Sequence, residues 1–135
     1  MKKIILSGLV SGVILLLLSV IGMYFTVWFF PQLANQYFGP AFDEQSGKYL
    51  FYFIQPFIMS FALAWFWQRF KGVLTGSNLG RGIEFGLIYT AVAIFPMMWM
   101  IYSAMNVSLE LVATWLLLGV AKGIVAGLIF EKMNP

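Results

Sequence analysis

The chain reads as an all-α integral membrane protein: four transmembrane helices in an up-down bundle, with both termini cytoplasmic. Three observations predict this. Hydrophobic residues fill 61% of the 135 positions and charged residues only 10%, against about 25% charged in soluble domains, so polar surface is too scarce for a water-soluble globule. Four apolar stretches, at 4–30, 49–68, 83–104 and 109–130, are each long enough to cross a hydrocarbon layer of about 30 Å. An even number of spans puts both ends on one side, together with Lys2, Lys3, Arg69, Lys71, Arg81 and Lys132. Lys48 is the loop cation left for the other side, so the positive-inside rule makes the first side cytoplasmic. The expected location is an inner or plasma membrane, and residues 1–135 form one domain.

Composition also removes chemistry. With no cysteine and no histidine, the chain lacks thiolate ligands, disulfides, cysteine nucleophiles and the usual general base. The net charge of +3 is assigned to contacts with anionic headgroups. Nucleic acid is not an expected partner.

The first stretch follows Met1-Lys-Lys and runs on to Phe30. It outlasts the h-region of a signal peptide and lacks an A-x-A-like site, so it is expected as a retained span. Gly8, Gly12, Leu15, Ser19, Gly22 and Thr26 recur at spacings of four and three, a seam for close left-handed helix contact. Ile14, Leu17, Leu18 and Ile21 fall mostly on the opposite side.

Residues 31–48 form the expected outer loop. Pro31 suits a first helical turn and Gly39 a C-terminal cap; Tyr37, Phe38 and Phe42 would rest on the membrane surface. Asp43, Glu44 and Lys48 supply solvated charge. The second span carries Gln55-Pro56 and ends in Trp65-Phe66-Trp67-Gln68-Arg69, an aromatic belt passing into cations. Gln55 is expected to hydrogen-bond another helix. The inner loop, 69–82, is rich in Gly, Ser and Asn, and its glycines do not have the spacing of a phosphate loop.

The third span holds a four-spaced pair, Gly82 and Gly86, with Glu84 off that face and available to Arg81. Pro96 is expected to kink it and to free a carbonyl. Thioethers bind Cu(I), but Met97, Met98, Met100 and Met105 have no cysteine or histidine beside them, and they read as filler. The fourth span begins near Glu110, a carboxylate suited to a helix N-terminus. In it Gly119, Lys122, Gly123, Ala126 and Gly127 share one face.

No cofactor, metal or catalytic residue is expected. The candidate intramembrane polar site is Lys122 with Glu84, Gln55 and Ser11. A lysine within a span is a functional candidate by default, and with a helix ending at Phe130 it stands roughly 12 Å above the inner end. Glu84, the hydroxyls of Ser7 and Ser11, or water in an inward-facing cleft would answer its charge. The helix-packing set is Gly8, Gly12, Gly22, Gly82, Gly86, Gly119, Gly123 and Gly127. So many small-residue contacts predict a packing or assembly protein, lodged among membrane lipids, that forms a homo-oligomer or joins other membrane subunits through the first or fourth span. The alternative is a small-solute or ion transporter using Lys122. In length the chain resembles small multidrug-type exporters. Their plan places a glutamate in the first span, and this chain has no acid between Met1 and Pro40.

Overall fold

The computed structural model describes residues 1–35 and 49–135, and every regular element among them is helical. In order these are α1 (Lys2–Phe29), α2 (Pro31–Asn35), α3 (Tyr49–Phe70), α4 (Asn78–Tyr89), α5 (Phe95–Ala104) and α6 (Leu109–Met133). A π-helical turn, Thr90–Ile94, joins α4 to α5 in one rod. Four rods (α1, α3, α4 through α5, and α6) are long and apolar enough to cross a membrane. The expected features at Tyr37, Phe38, Gly39, Phe42, Asp43, Glu44 and Lys48 lie outside the described residues.

Each rod starts and stops for local reasons. α1 meets no proline before Pro31, and its Ser7, Ser19 and Thr26 hydroxyls donate to carbonyls four residues back, at Lys3, Leu15 and Gly22. Backbone groups in lipid must be satisfied internally, and these hydroxyls satisfy themselves the same way. The loop expected at 69–82 is shorter, because α3 continues to Phe70 and α4 opens at Asn78. Gly76, at φ 109°, turns the chain in the left-handed region. Ser77 then caps α4 by accepting from the Gly80 N–H at 3.1 Å. Ser108 caps α6 in the same manner, from the Leu111 N–H.

Pro96 acts one turn before its own position. A proline lacks an N–H and crowds the carbonyl four residues earlier. The helix widens ahead of it, and the Phe95 N–H reaches back five residues to the Thr90 carbonyl. Within the adjoining run Met98 is buried, whereas Met97, Met100 and Met105 are exposed.

The rods pack as two close pairs joined through α1 and α6. In the first pair a methyl added to Gly8 would lie 2.6 Å from the Phe61 ring, and one on Gly12 2.5 Å from Phe57. The contact point moves from 61 to 57 as α1 advances from 8 to 12, so α1 and α3 run in opposite senses. Ser60 adds a cross-helix hydrogen bond, its hydroxyl donating to the Gly8 carbonyl at 2.7 Å. In the second pair backbone meets backbone. A methyl on Gly86 would sit 2.5 Å from the Ile124 nitrogen, one on Gly82 3.0 Å from that of Leu128, and one on Gly127 would strike the Gly82 carbonyl. Gly123 faces the Tyr89 ring, and α4 and α6 therefore also run oppositely. Gly22 meets Leu118 across the α1–α6 contact, and Gly119 meets Ile94. All eight glycines of the expected packing set thus face atoms of another helix of the same chain. The α1 seam is buried apart from half-buried Gly22, Leu17 and Ile21 are exposed, and Leu18 packs against the core.

The main core lies toward one end of the bundle, where α1 begins, α3 ends and α6 ends. Trp67, Phe85 and Phe130 are fully buried there with Leu15, Leu63, Ala64 and Ala126. Their rings meet edge to face, Trp67 with Phe85 at 5.2 Å and Phe85 with Phe130 at 6.1 Å between centroids. From the end of the π turn onward, Ile94, Met98 and Val112 form a smaller cluster. There α5 packs chiefly on α6.

Replacing Gly86 by alanine is expected to destabilise the bundle by about 1–3 kcal/mol, since the methyl meets backbone that has no slack. Gly72→Ala should be neutral, because nothing lies within 4 Å of that position. Thermal unfolding of the two variants in mild detergent checks the contrast; equal midpoints would contradict the close α4–α6 packing.

Candidate functional site

Helix ends leave carbonyls without intrahelical partners, and both α3 and α6 end at the same end of the bundle. Two cations answer them. Lys71, just past α3, donates from Nζ to the Asn134 side-chain oxygen at 2.9 Å and to the Pro135 carbonyl at 3.2 Å. A cation at a helix C-terminus also suits the helix dipole. Arg81, near the start of α4, donates from Nη2 to the Lys71 carbonyl at 2.9 Å.

Arg81 also makes the one salt bridge among the described residues, from Nη1 to Glu131 Oε1 at 3.0 Å. Glu131 is 5% exposed and Arg81 18%. The guanidinium lies over the Trp67 ring, 5.7 Å from its centroid. The Trp67 indole N–H donates to the Asn134 carbonyl at 2.8 Å, and the Asn134 amide donates to Gln68 Oε1 at 2.7 Å. One connected polar layer therefore ties α3, α4 and α6 together above the aromatic core. Within it Glu131 Oε2 and Arg81 Nε have no protein partner.

Against this layer lies an open cavity of about 360 Å³, lined by Met1, Lys2, Lys3, Ile4, Gln68, Lys71 and Asn134. It combines three lysines, two amides and the apolar sides of Met1 and Ile4. Such a lining suits an anion that carries an apolar body.

The four residues of the expected intramembrane polar site occupy separate places. Glu84 is exposed on α4 and makes no ion pair among the described residues; Arg81 goes to Glu131 instead. Gln55 is exposed on α3 and, among the described residues, reaches the Met59 sulfur, at 3.9 Å within its own helix. Ser11 is fully buried in the α1 seam, its hydroxyl without a partner among the described residues. Lys122 is half-buried and has no hydrogen bond or salt bridge among the described residues. Its distance to the end of its helix is longer than the expected 12 Å. α6 continues to Met133, so Lys122 stands about 11 residues, roughly 16 Å, from that end, close to the middle of the rod.

Glu131 and Asn134 were not among the expected site residues, though a signal for Glu131 exists. Gly82 and Gly86 oppose Gly127 and Gly123 in an antiparallel pair, and that register alone sets Arg81 beside Glu131. No protein-family model matches the chain, and no match was found among curated proteins or among solved structures.

Breaking one side of a buried pair leaves an uncompensated charge, at a cost of about 3–5 kcal/mol. Arg81 keeps some exposure, so Glu131→Ala is expected near the lower end of that range. Glu84→Ala and Glu110→Ala, at exposed positions, should each cost less than about 0.5 kcal/mol. Unfolding midpoints of the three variants in one detergent decide it; three equal shifts would remove the Arg81–Glu131 pair from any structural role.

Proposed function

We propose that the protein is a non-enzymatic assembly subunit that pairs with a second copy of itself through α3, standing as an up-down bundle with both termini cytoplasmic. The gathering of Lys2, Lys3, Lys71 and Arg81 at one end, with Arg69 and Lys132 nearby in sequence, supports this orientation through the positive-inside rule. A non-enzymatic role is supported by the lack of histidine and cysteine in the chain and by the commitment of Arg81, Lys71 and Glu131 to helix ends.

The carrying observation is Gln55. It lies on an exposed stripe of α3 with Phe51, Ile58, Ala62 and Trp65. These spacings of four and three are those of a left-handed helix contact. A lipid-facing amide lacks good partners, and hydrogen bonds between spans contribute about 0.6–2 kcal/mol. An amide both donates and accepts, so two copies related by a twofold axis answer each other. The glycine seams are taken up within the chain, whereas this exposed stripe carries an amide within the span.

A second reading rests on Lys122, half-buried near mid-rod without a partner, as an ammonium lining a transport path. The packed rings of Trp67, Phe85 and Phe130 fill one end of a single copy and weigh against it.

Native mass spectrometry in mild detergent is expected to find a dimer, and Gln55→Leu should shift it toward monomer by about threefold or more. A monomeric wild type, or a dimer indifferent to Gln55→Leu, overturns the α3 pairing. Reconstituted alone, the protein is expected to pass no solute or ion. Flux that disappears in Lys122→Met would replace the assembly reading with the transport one.

A further inference from the structure

Lys2 and Lys3 open α1, at the positive end of its dipole, where carboxylates rather than cations are favoured. Lys71 lines the same cavity. Among the described residues no side-chain carboxylate forms a salt bridge with Lys2 or Lys3, Glu131 is committed to Arg81, and Lys71 is held by the Asn134 and Pro135 oxygens. Two adjacent cations at a helix N-terminus favour an anion beside them.

The place of this cluster says which anion. It sits where three rods end, beside the belt in which Arg69 lies over the Trp65 ring at 5.4 Å, the level at which spans meet lipid phosphates. Gln68 and Asn134 offer amides, while Ile4 and Met1 give the cavity an apolar side facing the start of the span. A volume of about 360 Å³ accommodates a phosphodiester headgroup. We infer that this cavity is a binding site for the phosphate of an anionic phospholipid, gripped by Lys2 and Lys3 with the acyl chains lying along α1. Basic pockets between spans recognise lipid headgroups by this chemistry.

The test uses the full chain purified in mild detergent and titrated separately with phosphatidylglycerol, phosphatidylcholine and inorganic phosphate. Bound lipid is read by native mass spectrometry and stabilisation by thermal unfolding. Phosphatidylglycerol is expected to be retained about tenfold better than phosphatidylcholine and to raise the unfolding midpoint, while inorganic phosphate at equal concentration does neither. Lys2→Gln with Lys3→Gln should abolish the preference. Gln68→Phe, which fills the cavity and keeps every cation, should abolish it too, and this variant decides the matter if the double lysine variant fails to fold. Arg69→Gln with Lys132→Gln, at exposed positions off the cavity, should retain it. Equal retention of the two lipids overturns the proposal. So does an equal loss in the Arg69/Lys132 variant, which would mean diffuse attraction to any basic surface. Stabilisation by inorganic phosphate as strong as by the lipid overturns it in favour of a soluble anion.

Discussion

Helices in lipid gain nothing by hiding apolar surface from water, so they hold together only as well as their atoms touch. In this bundle the tightest touching is between α4 and α6, where Gly82 and Gly86 bring one backbone onto the backbone at Gly123, Ile124, Gly127 and Leu128. Side chains cannot slide past such a contact by changing rotamer. It therefore fixes register as well as distance. Once 82 lies against 127 and 128, Phe85 meets Phe130, and Arg81 falls beside Glu131. The aromatic core and the polar layer above it both follow from that alignment.

The α1–α3 pair is built more softly. Its glycines receive the rings of Phe57 and Phe61, which can rotate, and the Ser60 hydroxyl supplies the directional contact by bonding the Gly8 carbonyl. One such hydrogen bond contributes about 1 kcal/mol, less than a buried charge left unpaired costs at the other pair. The bundle is thus unequal: a rigid α4–α6 unit to which α1 and α3 are joined. Farther from the polar layer this difference widens. Past the π turn, α5 keeps α6 as its chief neighbour, and large side chains such as Phe95, Trp99 and Met100 remain uncovered.

Much of this was legible in the sequence because the governing patterns are local. The four spans follow from apolar length, the α1 seam from spacings of four and three, and the trouble at Pro96 from a missing N–H. The widened turn just before Pro96 was not legible, because a missing N–H says that a backbone bond must change and not how the neighbouring turn takes it up. The apolar run stops at Phe130, and the helix goes on three residues to Met133, which lengthens the distance from Lys122 to its end. Glu131 lies in that added turn, buried and paired with Arg81. That pairing joins positions 50 residues apart, beyond the reach of any periodicity, and needed the register between two glycine pairs. For the same reason Glu84 looked like a partner for Arg81 or Lys122 when it is partner to neither.

The two proposals bear on one another through depth. A helix pair in a bilayer can only match polar groups that stand at the same height, and a rod free to bob or tilt loses that match. Gln55 stands about 15 residues, or roughly 22 Å, from the end of α3 at Phe70. Lys71 and Gln68, at that end, line the cavity in which a headgroup phosphate would lie. A phosphate held there ties the base of α3 to the headgroup plane, and the same plane serves every copy in the membrane. Each Gln55 then arrives at one height without any protein contact setting it. Lipid grip and amide pairing remain separable in the laboratory, since the first acts on a single copy and the second needs two. In the membrane the first would make the second cheaper, because part of the ordering has been done before the copies meet.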